Sequence, residues 1–288
     1  MPITIPQGFQ KLKENLEITT LQETTTSERQ QNIRDALKND LNVRDSFLAG
    51  SYRRNTMIAP LSEADIDIFV ILGSEYFKQD GQAILLDKVK QVLRKTYPKT
   101  PDISRNGQAV TIVFSDFRVD VVPAFFRQGG GYLIPDTILK RWISTDPKIH
   151  IDVWAKANKM HNGYLVPLIK MMKCWNQAHS APLRSFHLES LVIQILNNVT
   201  ISDYPSGIRY VFDKARTQIQ YAVVDPAGYG GDIGAYLDTK DKKDNAINRI
   251  KTAYERAYDA ERLNSAGDIQ HAYDKWRLIF GDYFPAYG

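Results

Sequence analysis

Gly50-Ser51-Tyr52-Arg53-Arg54-Asn55-Thr56, then Ser62-Glu63-Ala64-Asp65-Ile66-Asp67, and further on Arg118-Val119-Asp120-Val121-Val122 are the stretches that decide how this chain is read. Ile66 to Leu72 is a β-branched and aromatic run ended by Gly73, and residues 117–122 form another. Side chains alternate across a strand. Asp65 and Asp67 therefore leave one face about 6.6 Å apart along the chain, while Ile66 and Ile68 point to the other. Val119 and Val121 likewise face away from Asp120. Three acids emerge from strands whose alternate residues are apolar and suited to burial.

On neighbouring strands the three carboxylates converge. Two like charges about 6 Å apart at an effective dielectric of about 20 repel by about 3 kcal/mol, so something cationic must offset them. Carboxylate oxygens without His or Cys suit Mg²⁺. Two such ions about 3.5–4 Å apart can activate an attacking hydroxyl and stabilise a departing pyrophosphate. The competing reading makes Asp65 a loop cap and leaves Asp67 and Asp120 as solvated edge-strand charges. Upstream context favours the metal site. Gly50-Ser51 closes a short strand over 46–49, 14 residues before Asp65, where free backbone N–H groups and the Ser51 hydroxyl can cradle phosphate.

Outward from these stretches, Ser27-Glu28-Arg29-Gln30 reads as a capping box opening a helix through Ile33, Leu37 and Leu41. Apolar positions from Ile84 to Leu93 predict a helix over 82–97. Strands over 109–114 and 117–122 follow, joined by a tight Ser115-Asp116 turn, the second ended by Pro123. From Pro147 onward the periodicity is helical: 148–161, 164–179, 186–199, 206–222, 240–263 and 267–280. Gly129–Gly131 lacks a following Gly-Lys-Ser/Thr and reads as a flexible loop, with no P-loop. The fold class is α+β, with a mixed-sheet domain over 1–150 and a helical domain over 151–288.

The net charge of +4 is a weak excess for a protein that wraps duplex nucleic acid. One cysteine, Cys174, excludes a disulfide framework and a Cys-rich zinc site. The longest apolar run, Ile68 to Leu72, is far short of the ~20 residues of a membrane span. The N-terminal stretch lacks the pattern of a signal peptide, so a cytoplasmic setting is expected.

The Gly-Ser, the Asp-x-Asp and the third strand acid together resemble the nucleotidyltransferase superfamily related to DNA polymerase β. Pro123-Ala124-Phe125, Gly131 to Asp136, Trp142, Leu168 to Asn176, Ser185 to Glu189 and Val224 to Ala227 look like bacterial CD-NTases. These are relatives of cyclic GMP-AMP synthase and oligoadenylate synthase found in CBASS antiphage operons. The resemblance, over roughly 27–240, implies a polymerase β-like core and a helical domain completing the nucleotide cleft. It implies condensation of nucleoside triphosphates, ATP among them, into a cyclic di- or oligonucleotide. Asp65, Asp67 and Asp120 would hold two Mg²⁺, with Mn²⁺ able to substitute, and Gly50, Ser51, Lys173 and Ser185 would hold the donor triphosphate. Two other readings stand beside it: nucleotide addition to an RNA end or other acceptor, and a non-catalytic nucleotide-binding protein.

Helical geometry bears on Lys173. At about 100° per residue from Leu165, Lys173 falls near the border of the apolar stripe and Lys170 further toward solvent. Ser185 reads as an N-cap, and the resemblance gives it a phosphate contact. Phe186 is read equally as a base-stacking ring, on the resemblance, or as core. With one cysteine there is no counterpart of the zinc-bound DNA insertion of animal relatives, so no DNA activator is implied. Gly228 to Asp232 is richer in glycine than the family pattern. After Phe280-Gly281 no helical period continues, so an exposed tail is expected. Some CBASS operons encode a ubiquitin-ligase-like partner that acts at the synthase C-terminus, and Gly288 would be its attachment point.

Overall fold

The computed structural model describes residues 3–100 and 102–288. The chain divides into two compact units, one of residues 18–151 and one joining the segment up to Glu17 to residues 152–288. The first helix, counted with the N-terminal domain in the sequence, therefore groups with the C-terminal helices.

In the unit of 18–151 the elements are α2 (Thr20–Asp40), β1 (Val43–Leu48), α3 (Gly50–Arg53), β2 (Asp65–Leu72), α4 (Gln82–Thr96), β3 (Ile103–Asn106), β4 (Ala109–Val113), β5 (Arg118–Phe126), β6 (Tyr132–Asp136) and β7 (Arg141–Thr145). The sheet order is β1-β2-β5-β4-β3, with β6 pairing β5 and β7 pairing β6. The β2–β5 pair is parallel, which requires the crossover that α4 supplies. Ile66, Ile68, Val119 and Val121 bury one face against Ile33, Leu37, Leu86 and Val89 of α2 and α4. On the opposite face Phe69, Ile71, Val122 and Ala124 form a second cluster with Tyr132 and Ile134. That face is apolar along its length but carboxylate at the strand starts.

Three sequence expectations change here. The helix opens at Thr19, whose side chain and that of Gln22 form the capping box. Ser27 lies inside it, its hydroxyl bonded to Glu23 O. Pro123 does not end β5. Its missing N–H is tolerated because β4 pairing stops at Val121 and β6 pairing begins at Phe125. The short strands β3, β6 and β7 were not foreseen. The Gly129–Gly131 link, all at positive φ, is the turn joining β5 to β6.

The helical unit holds α1 (Ile5–Asn15), most of α5 (Pro147–Met160), α6 (Leu165–Ala178), α7 (Ser185–Leu196), α8 (Tyr204–Gln218), α9 (Lys240–Ser265) and α10 (Ile269–Phe280). Helix α6 is its axis, buried continuously from Pro167 to Asn176. Helix α1 docks through Phe9 on Trp276, and a Cβ at Gly8 would meet the Phe284 ring at 2.8 Å. The expected exposed tail is therefore anchored. A 3₁₀ turn spans Gly281–Tyr283, and Phe284 is wholly buried against Phe9, Tyr273 and Phe280. Among the described residues no helix is long and apolar enough to cross a membrane.

Candidate active site

The parallel register of β2 and β5 sets Asp67 opposite Asp120 and Asp65 opposite Arg118. Partners in neighbouring strands project from one face about 4.8 Å apart, so Asp67 and Asp120 are side by side. Arg118 Nε donates to Asp65 Oδ1 at 2.6 Å. This is the cation that repulsion among the acids calls for, and the sequence reading did not name it. Arg118 precedes Asp120 by two residues, so the period of two already put it on the acid face. Thr111 of β4, paired with Asp120, donates its hydroxyl to Asp120 Oδ1 at 2.5 Å. Burial pushes the Asp120 carboxyl above its usual range; the Thr111 hydrogen bond opposes that, the Asp65 charge adds to it, and Arg118 opposes it.

The Gly-Ser turn closes over these acids. Ala49 N–H donates to Asp67 O at 2.8 Å, locking the end of β1 to β2. Gly50 then has φ +60, and a Cβ there would lie 1.7 Å from Asp67 Oδ2. Left-handed backbone and close approach both demand glycine. Gly50 and Ser51 form the first turn of α3, whose N-cap Ala49 makes no side-chain cap and whose leading N–H groups have no intrahelical acceptor. Ser51 O accepts from Thr56 N–H at 2.9 Å, fixing the loop. Among the described residues, no group of three or more His, Cys, Asp or Glu is drawn together tightly enough to hold a metal. The donors are oxygen only, a set that fits a hard divalent cation.

Lys173, Ser185 and Phe186 belong to the helical unit. Lys173 Nζ lies 3.4 Å from Glu189 Oε1, their side chains only 8% and 0% exposed. Trp154 Nε1 donates to the other Glu189 oxygen at 2.9 Å, and Phe186 stacks on the Trp154 ring at 5.6 Å, 12° from parallel. Trp154 and Glu189 were not singled out in the sequence; 35 residues separate them. Lys170 departs from expectation. It is buried and its Nζ bonds Glu17 at 2.5 Å, since α6 has no solvent side there. Ser185 is the first residue of α7, exposed, and the N-cap is Arg184, with no side-chain cap. Arg184 N–H donates to Tyr236 Oη at 2.8 Å, and that hydroxyl meets His187 Nδ1 at 3.0 Å. Burial lowers the His187 pKa. Cys174 is packed in the interior, its thiol pushed up to about 12 by burial.

The family model described as the Second Messenger Oligonucleotide or Dinucleotide Synthetase domain matches residues 3–158. The cyclic AMP-AMP-AMP synthase of an Acinetobacter species is 29% identical, over 98% of this chain and 86% of that protein. E. coli MS115-1 CdnC, solved with ATP, superposes with TM-score 0.81 at 19% identity, over 98% of this chain and 99% of that one. The cyclic AMP-GMP synthase DncV of Vibrio cholerae gives TM-score 0.78 at 15% identity, over 99% and 98%. These last two likenesses concern the fold. The family model covers more than half of the sequence, a span that holds Gly50, Asp65, Asp67 and Asp120, and the chain belongs to the Second Messenger Oligonucleotide or Dinucleotide Synthetase family, the bacterial CD-NTases.

Proposed function

We propose that this chain condenses nucleoside triphosphates into a cyclic di- or oligonucleotide for CBASS antiphage signalling, releasing pyrophosphate, and that it does so in the cytoplasm. The observation that carries the reading is the parallel register that sets Asp67 beside Asp120, with Gly50 closed over Asp67. Asp65, Asp67 and Asp120 would hold two Mg²⁺, or Mn²⁺ in their place; when bound, the ions would supply Lewis acidity for charge developing on phosphate oxygens. Asp120 would take the proton of the acceptor hydroxyl. That oxygen bonds to the donor's α-phosphorus as the bond to pyrophosphate breaks. Gly50 and Ser51 would bind donor phosphates through the first turn of α3, and Lys173 and Ser185 would bind the triphosphate. Phe186, stacked on Trp154, would contact a base.

The acids argue against a non-catalytic binder, because three carboxylates at strand starts need offsetting charge and give the fold nothing in return. Incubation with the four labelled triphosphates and Mg²⁺ or Mn²⁺, with and without added RNA, tests the reading. A small phosphatase-resistant product supports it, and label moving only onto RNA supports end addition instead. An accessory ligase joining Gly288 to a target amine belongs to the same reading. Gly288→Glu should then abolish conjugates in cells carrying the operon, and undiminished conjugates on an immunoblot would exclude it.

A further inference from the structure

Helix α7 starts without a cap of its own. Its N-cap residue, Arg184, makes no side-chain hydrogen bond to the first turn, and the leading N–H groups of a helix have no acceptor within it. A tyrosine 52 residues further on fixes this start. Arg184 N–H donates to Tyr236 Oη at 2.8 Å, and the same hydroxyl meets Nδ1 of the buried His187 at 3.0 Å. His187 is hemmed in on its other side, where a Cβ at Gly234 would lie 3.0 Å from Cε1. The Arg184 side chain uses the same tyrosine. Its guanidinium carbon lies 4.5 Å from the centre of the Tyr236 ring, an attractive cation–π arrangement. Among the described residues no carboxylate pairs with this guanidinium; Asp232, the acid that acts on Tyr236, accepts from the N–H groups of Val223 and Gly234. Stacking occupies the face of a guanidinium and leaves its edge of N–H donors free. An exposed planar cation is thus held beside the exposed Ser185, with the donor fork that suits phosphate oxygens.

We infer, on the reading that Lys173 and Ser185 hold the triphosphate, that Arg184 is a further triphosphate-binding residue and Tyr236 its positioning residue. The Tyr236 hydroxyl fixes the Arg184 backbone while the ring fixes the guanidinium, so the fork is oriented before the phosphates arrive and little side-chain freedom is lost on binding. The test is calorimetric titration of the full chain with a non-hydrolysable ATP analogue, in wild type, Arg184→Gln, Tyr236→Phe, the double variant and Lys173→Ala. Arg184→Gln should weaken the analogue by about ten-fold, the loss of one charge-assisted contact, at an unchanged melting temperature because the side chain is exposed. Added KCl should weaken binding less in Arg184→Gln than in wild type, since one screened ion pair is gone; loosening of α7 alone would leave the salt dependence as it was. Tyr236→Phe keeps the ring and loses the hydroxyl, and should weaken the analogue by about three-fold. In the Arg184→Gln background the same change should cost less than about two-fold, because Tyr236 acts through Arg184. Affinity within about two-fold of wild type in Arg184→Gln, with Lys173→Ala impaired, would overturn the role of Arg184 and leave the reading of the site standing. Equal losses from Tyr236→Phe in both backgrounds would overturn the positioning role. No saturable binding by wild type would overturn the reading of the site and the role of Arg184 together.

Discussion

Glu189→Gln isolates the charge that holds Lys173. Both side chains are buried and 3.4 Å apart, so at an effective dielectric of about 20 the pair attracts by about 5 kcal/mol. Glutamine keeps the shape and can still accept from Trp154 Nε1, which now bonds the carboxylate at 2.9 Å. Only the charge is lost, and the buried Lys173 loses the attraction of its Glu189 carboxylate. Removing one partner of a buried pair costs about 3–5 kcal/mol, and that loss should appear in urea unfolding of the purified protein. Two further readouts separate a catalytic positioning role from a purely structural one. A non-hydrolysable triphosphate analogue brings negative charge to Lys173, so it should stabilise Glu189→Gln more than wild type. Lys173→Met combined with Glu189→Gln should recover much of the loss, because an apolar replacement of a buried pair is often neutral or better. A loss below about 1 kcal/mol, or coupling between the two positions below about 0.5 kcal/mol, would refute the argument. Equal stabilisation of both proteins by the analogue would remove Lys173 from the triphosphate site.

Gly50→Ala should cut turnover by about a hundred-fold, the effect of misplacing a reacting group by about 1 Å; its Cβ falls on Asp67 Oδ2, and near-wild-type turnover in steady-state assays would contradict the close approach. Lys170→Ala should lower stability but change triphosphate affinity by less than about two-fold, whereas Lys173→Ala should cost about 1.5–3 kcal/mol of binding; calorimetric titration with equal losses would remove the distinction drawn from the Lys170–Glu17 pair. Burial depresses the His187 pKa in the folded chain, so the unfolded chain binds the proton more readily. The stability this histidine contributes is full above its ordinary value of 6.5 and is lost as pH falls below it. Melting temperatures from pH 8 to pH 5 should fall less steeply in His187→Asn than in wild type, and identical slopes would count against this linkage. Phe284→Ala should cost about 3–5 kcal/mol, since its ring is fully buried; a loss under 1 kcal/mol by denaturation would restore the picture of a free tail.

The carboxylates were legible because the signal is local. A period of two fixes which side chains share a face, and Gly50-Ser51 and Asp65-x-Asp67 each lie within one element. The pairing of Asp67 with Asp120 was not legible in that way, because it depends on a parallel register across a crossover that includes α4, β3 and β4. Arg118 could have been found from the same alternation that found Asp120. Lys170 was misjudged because a helical wheel assumes one wet side, and α6 has none over Pro167–Asn176. Two boxes compete at the second helix, Thr19 to Gln22 and Ser27 to Gln30. The apolar period starts only after the later one, so the two polar turns before it were missed. The partners of Glu189 come from α5 and α6, and no local pattern in α7 announces them.

The claim that Asp65, Asp67 and Asp120 form the reaction centre of a cyclic oligonucleotide synthase is tested most directly by one comparison. Wild type and Asp65→Asn/Asp67→Asn are incubated with labelled nucleoside triphosphates and Mg²⁺, treated with phosphatase, and the surviving product is resolved by mass. The acids repel one another by about 3 kcal/mol when about 6 Å apart, so removing two charges should leave the fold intact, checked by circular dichroism and melting. Wild type should give a phosphatase-resistant cyclic product and the folded variant less than about a tenth of it, a loss far smaller than catalysis by a metal site supplies. Synthesis retained by the variant, or only linear phosphatase-sensitive products from wild type, would contradict it.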